Sequence, residues 1–230
     1  MTLDRLSDEY RYAYLSPEEL RRRLEQKAIL YLPIGSLEWH NEHLPLGTDT
    51  LHAIEICSRL SQSIGGVVLP GFWWNTSACH DTFCTYHMPE DRYVSTLKSV
   101  CLGLSPIPAH LLVLVNGHGG DFQIKCIERV TEELNGEGFP MRVVMADPYR
   151  LGKSSPVRID HADTGETSFS LELIPQLVRL DRAIGKDIIS GKTPFEGTGE
   201  PTQAGGRQLW EAYFADACAL IEGEYRQASR

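Results

Sequence analysis

AILYLPIGS, running from Ala28 to Ser36, is the stretch on which the fold turns. Its apolar run is continuous, short for a helix and closed by Gly35-Ser36, the pattern of a strand covered on both faces. The pattern returns in GGVVLPGF (Gly65 to Phe72), HLLVLVNG (His110 to Gly117) and MRVVMADP (Met141 to Pro148). Between these runs apolar residues recur with helical spacing, from Thr50 to Ser63, from about Asp91 to Leu102 and from Phe122 to Leu134. Ahead of the first run, Ser16-Pro17-Glu18-Glu19 opens a helix reaching about Gln26, with Ser as N-cap, Pro at the first helical position and Glu19 completing a capping box. Strands alternating with helices of this length predict an α/β fold, a mostly parallel sheet with helices on both faces. Beyond Leu173 the pattern loosens into a Gly/Pro/Thr-rich segment, Gly191 to Gly206, before an amphipathic helix from about Arg207 to Glu224.

One domain spanning residues 1–230 is expected, because separate cores become the rule only beyond roughly 250–300 residues, and no repeat or linker interrupts the chain. With 22 Lys+Arg against 31 Asp+Glu the net charge is -9, which argues against a nucleic-acid partner. The opening MTLDRLSDEYRYAYLSPEEL is charged and aromatic, unlike a secretory signal, and no apolar run reaches the roughly 20 residues of a membrane span. A cytoplasmic protein without a membrane partner is expected. Six cysteines, Cys57, Cys79, Cys84, Cys101, Cys126 and Cys218, form no CxxC pair and read as reduced thiols.

Chemistry concentrates in GSLEWHNEHLPLGTDT (Gly35 to Thr50), VNGHGGD (Val115 to Asp121) and HADTGETS (His161 to Ser168). The first two follow apolar strands, and in open parallel sheets ligands bind beyond the carboxyl ends of the strands. Glu38 and His40 are alternate residues and share a face if the chain stays extended. Asp49 precedes a helix, where its two oxygens can bridge ions or merely cap the helix start. His118 lies in a turn where Gly117, Gly119 and Gly120 allow close approach of backbone and ligand; a phosphate cradle would want a P-loop lysine, which is missing. Glu166 adds a third carboxylate. Three carboxylates and two imidazoles from three segments suit divalent metals, with Zn, Mn and Fe all compatible.

At these residues the chain resembles the creatininase family of metal-dependent amidohydrolases. The family's first signature reads GSxEQHGPHLPLGTD; here GSLEWHNEHLPLGTD has Trp39 for Gln and Asn41-Glu42 for Gly-Pro. The second, NGHGGN, is present with Asp121 for the last Asn, and the third, HAGExETS, as HADTGETS. Gly199-Glu200-Pro201 is similar to the family's late Gly-Asp-Pro. The resemblance covers nearly the whole chain and implies a three-layer αβα fold, a small-molecule substrate, assembly as a homo-oligomer, commonly a hexamer, and two divalent ions per chain. One ion would take Glu38, Asp49 and His118; the other His40, Asp49 as bridge and a further carboxylate. In creatininase itself that carboxylate stands two residues beyond the histidine of the second signature, where this chain has Gly120, so the role moves to Glu166, as in relatives with GHGG. His161 matches the family's catalytic histidine and, with Glu166, is the catalytic candidate. The chemistry implied is a water activated between two ions, attack on a carbonyl carbon, and proton delivery to the leaving group by His161 as general acid.

Many members carry an H..FPGT stretch after the second strand. CHDTFCTYHMPEDR here keeps His80 but has Met88-Pro89-Glu90-Asp91; the two acids either cap the next helix or, through Glu90, touch a polar or cationic substrate. Among Trp73, Trp74, Tyr86 and Tyr149, the two retained as pocket walls are Trp74 and Tyr86, and Gly119 lies where substrate would approach. Strict creatininases use aromatic residues before the catalytic histidine, and SSPVRIDHAD has none, which argues against creatinine. The reading is a hydrolase of an amide, cyclic amide or formamide; the alternatives are C–C hydrolysis of a cyclic polyol ketone and an inactive ligand-binding homologue.

Overall fold

The two most apolar runs pair with each other at the middle of the molecule, Ile29 opposite Leu111 through to Ile34 opposite Asn116, and every residue of both is buried. The computed structural model describes residues 10–77 and 81–230. Along it run α1 (Pro17–Gln26), β1 (Ile29–Ile34), α2 (Thr48–Ile64), β2 (Val67–Val68), α3 (Glu90–Leu102), β3 (Leu111–Asn116), α4 (Asp121–Gly136), β4 (Arg142–Ala146), α5 (Thr164–Leu173) and α6 (Gln203–Ala228). The strands form a parallel sheet in the order β2-β1-β3-β4. Side chains alternate across it, as the period of two requires. Leu30, Leu32, Leu112 and Leu114 pack with Leu24, Leu97 and Val130 of α1, α3 and α4. Ile29, Tyr31, Leu111 and Val113 pack with Ile56, Phe169 and Ala217 of α2, α5 and α6. The architecture is the expected three-layer αβα sandwich.

The sequence boundaries need four corrections. GGVVLPGF yields only the two-residue β2 and an isolated bridge between Ile34 and Phe72. The N–H groups of Leu69 and Phe72 still donate to Tyr31 and Pro33, each at 2.8 Å, but Pro70 between them has no N–H and interrupts the ladder. Helix α2 starts at Thr48, so Asp49 sits inside its first turn; Gly47 is the N-cap and no side chain caps it. Helix α3 starts at Glu90, placing Glu90 and Asp91 in the first turn, where neither makes a capping bond and the positive helix end favours their charge. Helix α6 starts at Gln203 behind an N-cap bond from Gly205 N–H to Thr202 Oγ1 at 3.0 Å. Gly205-Gly206 read as loop in sequence, yet a Cβ on Gly206 would lie 1.9 Å from the Ser168 carbonyl oxygen, so the glycine serves close packing of α6 on α5.

The α1 capping box is formed as read, with Ser16 N–H donating to Glu19 at 2.7 Å. Tyr12 packs on the chain's own core, while Tyr14 is exposed. Cys57, Cys84, Cys101, Cys126 and Cys218 are free thiols; Cys79 lies outside the described residues. Among the described residues no helix is long and apolar enough to cross a membrane.

The sheet and α2 meet at two glycines. A Cβ on Gly117 would lie 2.0 Å from the Asp49 carbonyl oxygen, and one on Gly35 would lie 2.2 Å from Thr50 N. This contact brings the first turn of α2 against the carboxyl ends of β1 and β3. Gly117→Ala should therefore destabilise the fold by about 1–3 kcal/mol or more, the usual cost of overpacking. Gly136→Ala, at the open end of α4 with no atom within 4 Å, should instead gain up to ~1 kcal/mol from helix propensity; urea unfolding midpoints of the two variants check the contrast.

Candidate metal centre

Beyond Gly35 the chain leaves β1 and returns to α2, and this excursion carries Glu38 and His40 over the end of the sheet. His40 Nδ1 donates to the Glu38 carbonyl at 3.0 Å, which turns Nε2 toward the cluster, 3.1 Å from Asp49 Oδ1 and 3.7 Å from Glu166 Oε2. The residue after it, Asn41, has a φ of 54°, a left-handed conformation that Asn tolerates better than most. Asp49 has its second oxygen, Oδ2, 2.7 Å from His118 Nδ1, and the same oxygen accepts from Ser36 Oγ at 2.5 Å. Glu38 Oε2 lies 3.3 Å from His118 Nδ1 and accepts no hydrogen bond, while Oε1 accepts from Ser77 Oγ at 3.3 Å. His118 stands beside Gly120, whose Cβ, if present, would lie 2.4 Å from Nε2.

Glu166 enters from the first turn of α5, where Asp163 caps the helix by accepting from Glu166 N–H at 2.9 Å. Its carboxylate accepts from Ala162 N–H at 2.6 Å and from the Tyr149 hydroxyl at 3.3 Å. His161 lies beside His40, ring centroids 4.6 Å apart, with Nδ1 4.0 Å from Glu38 Oε2. Besides Glu38/His40/His161, in which His161 is half-buried, two fully buried sets of donors emerge, Glu38/Asp49/His118 and His40/Asp49/Glu166; in each the ligand atoms lie within 4.8 Å of one another. Asp49 belongs to both.

The charges in this cluster ask for a cation. At an effective dielectric near 20, two carboxylates at such a separation repel by about 3–4 kcal/mol. Burial, reinforced by Asp49, pushes Glu166 up to about 8 against the pull of His40. Burial also raises Glu38, opposed by His118. Burial would lower His118, but Glu38 and Asp49 outweigh it and lift the imidazole to about 9. Positive charge is thus drawn onto the imidazoles from the carboxylates, the demand that a divalent ion meets while displacing those protons. The orphaned Glu38 oxygen and the backbone-anchored His40 tautomer fit the same reading, since metal-binding histidines commonly donate their second N–H to a carbonyl or carboxylate.

A cavity of about 430 Å³ opens onto the cluster; beside the donors its lining includes Thr76, Ser77, Gly119, Tyr149 and the apolar Phe122, Ile159 and Ile189. Of the proposed substrate contacts, Gly119 is in this lining. Trp74 and Tyr86 pair with each other, centroids 4.8 Å apart, on an exposed face that is not part of it, and Glu90 is likewise exposed outside it. His80 lies outside the described residues. Tyr149, considered in the sequence but not retained as a pocket wall, is a wall of the cavity. Asp147 at the end of β4 accepts from Tyr149 N–H at 2.8 Å and turns the chain so that the tyrosyl ring crosses Gly119. Its position just past a strand's carboxyl end was the available signal. Ser36, two residues past β1, shared that signal, whereas Ser77 and Asp187, which also touch the cluster's members, did not.

A three-layer α/β sandwich with acid and imidazole donors buried at the carboxyl ends of its strands is the build of a metal-dependent hydrolase. A family profile described as creatininase, creatinine amidohydrolase, matches residues 13–228, and the chain belongs to the creatininase family. Creatinine amidohydrolase of Pseudomonas putida is 28% identical over 68% of each chain. The 3-dehydro-scyllo-inosose hydrolase of Thermotoga maritima is 24% identical over 74% of this chain and 58% of its own. A crystal structure of creatininase shares the fold at a TM-score of 0.77, covering 94% of this chain and 98% of its own at 23% identity. Creatininase structures described as a manganese form and as a mutant of zinc–zinc type each reach 0.76 at 22% identity. Because a Cβ at residue 120 would press on the His118 ring as it stands in this chain, Gly120→Ala is expected to weaken binding of added zinc by about 10–100-fold, read by titration with a competing chelator.

Proposed function

We propose that the chain hydrolyses a C–N bond in an amide, cyclic amide or formamide of a small polar substrate, using two divalent ions. The observation that carries this is Asp49, which turns one carboxylate oxygen toward His40 and the other toward His118. In this reading Glu38, Asp49 and His118 hold the first ion, and His40, Asp49 and Glu166 the second; zinc, manganese and iron all accept this donor set. Ions bound there would acidify a water and polarise a carbonyl.

The chain's own residues do the rest. Ser36 and the first turn of α2 hold Asp49 between the two imidazoles. Tyr149 steadies Glu166 through its hydroxyl and closes one wall. His161, whose Nδ1 faces Glu38 and which burial and the neighbouring His40 hold neutral by lowering its pKa to about 4, takes the proton released by the attacking water and returns it to the departing nitrogen. Phe122, Ile159 and Ile189 give the cavity apolar surface, which favours a substrate with an uncharged, partly apolar body over a polyol that would hydrogen-bond all around its ring. The loop SSPVRIDHAD before His161 also lacks the aromatic residues expected there of strict creatininases, so creatinine is not the substrate proposed.

A panel of lactams, formamides including para-nitroformanilide, and cyclic ketones tests the assignment on protein loaded with zinc or manganese. Turnover of an amide or formamide that stops on chelation and returns with metal is expected; turnover of ketones alone would select C–C hydrolysis, and no bound or restorable ion would overturn both. Metal analysis separates the ligand roles: Asp49→Asn should deplete both ions, Glu38→Gln only one. His161→Ala should keep its metal and lose activity by about 10²–10⁴-fold, the usual contribution of a proton-transfer group.

A further inference from the structure

Asp187 lies in the irregular stretch between α5 and α6, a region without any chemical signature in the sequence, yet it is only 2% exposed. Its carboxylate is heavily engaged. Oδ1 accepts from the N–H groups of Ile189 and Ser190 at 3.0 and 2.9 Å and from Ser190 Oγ at 3.2 Å, and Oδ2 accepts from the Trp39 indole N–H at 3.1 Å. Oδ1 also stands 3.6 Å from Nε2 of His161, a buried nitrogen that has no hydrogen-bond partner. Closing that gap to an ordinary hydrogen bond takes about 0.5 Å.

We propose that Asp187 is the positioning residue of His161, and that Trp39 and Asn41 hold in place the strap that bears it. This rests on the proton-carrying role of His161 given above. A proton on Nε2, directed at Asp187, leaves the lone pair on Nδ1, the nitrogen that faces Glu38 and the cavity. Nδ1 then accepts a proton as a water O–H bond breaks, and gives it up as the C–N bond breaks and an N–H bond forms on the leaving group. The ring ends as it began, and no further reactant is needed. With the other tautomer Nδ1 would carry its proton at the outset and could accept none.

The two grips on the strap come from the first signature itself. Trp39 and Asn41 are among the positions at which the chain departs from the family pattern, and both side chains reach the strap. Asn41 Nδ2 donates to the Ile184 carbonyl at 3.1 Å and its Oδ1 accepts from Ile184 N–H at 3.2 Å. Trp39 reaches Asp187 directly. The excursion that carries His40 therefore also holds, on its neighbouring residues, the partner of His161. Neither departure has another polar use in the cavity, whose lining excludes both residues.

The test is NMR of ¹⁵N-labelled histidine in the zinc-loaded protein, combined with kinetics on para-nitroformanilide. The wild type should show His161 protonated on Nε2. Asp187→Asn should shift the proton wholly or partly to Nδ1 and lower kcat by at least tenfold, with KM and zinc content unchanged. Trp39→Phe keeps an aromatic ring, smaller than the indole, and removes the N–H; it should lower kcat by a smaller factor, again at constant KM. An unchanged tautomer in both variants overturns the proposal, whatever their rates, because a merely structural aspartate would lower activity without moving that proton. Should Asp187→Asn not fold, the Trp39→Phe tautomer decides. Failure of the underlying reading looks different: His161→Ala would retain full turnover, while the ¹⁵N signals would still report whether Asp187 sets the ring.

Discussion

Carboxylates buried side by side set the terms for the rest of this structure. Asp49 stands within 4.8 Å of both Glu38 and Glu166 in donor sets of buried residues, and like charges so placed are stable only with positive charge between them. The imidazoles of His40 and His118 supply the geometry for that charge, one on each oxygen of Asp49. Ser36, Ser77, Tyr149 and the Ala162 N–H each occupy a carboxylate oxygen from the far side. What is left open points inward, and that is the chemical basis of the proposed pair of ions.

Holding such a cluster requires a rigid frame, and the sheet provides it. The central strands are apolar on both faces and buried between helical layers, so the ends of β1 and β3 cannot shift without disturbing two cores. Helix α2 is pressed on those ends through Gly35 and Gly117, which have no side chain to keep it away. Asp49, one residue into that helix, also lies in the field of its N-terminal dipole, where a carboxylate is favoured. Packing thus fixes the bridging residue, and the excursion between β1 and α2 then brings Glu38 and His40 to it.

The outer parts of the site are built differently. Tyr149, Ile159, His161 and Asp187 come from loops and from the strap between α5 and α6, held by side-chain hydrogen bonds instead of a ladder. Asn41 and Ala162, each following a histidine, both have left-handed φ values, 54° and 49°, so both imidazoles sit just before a sharp reversal of the chain. That conformation costs non-glycine residues energy, and the strap's bonds to Asn41 and the Glu166 bond to Ala162 N–H offset part of it.

Much of this was written in the local sequence. Continuous apolar runs between helical periodicities can only be buried in a parallel sheet with helices on both sides, and the donors in Gly35 to Thr50, Val115 to Asp121 and His161 to Ser168 advertise their chemistry by type and by nearness to strand ends. Helix and strand limits were less legible: Pro70 shortens β2, and Gly205-Gly206 belong to α6 because α5 packs against them, a contact remote in the chain. Tertiary structure alone decided which aromatic lines the cavity, Tyr149 and not the exposed Trp74 and Tyr86, and it alone brought Asp187 to His161 and Trp39. The physical reason is that a residue's type and spacing fix what it can bond to, whereas the distance between loops distant in sequence depends on how the whole frame folds between them.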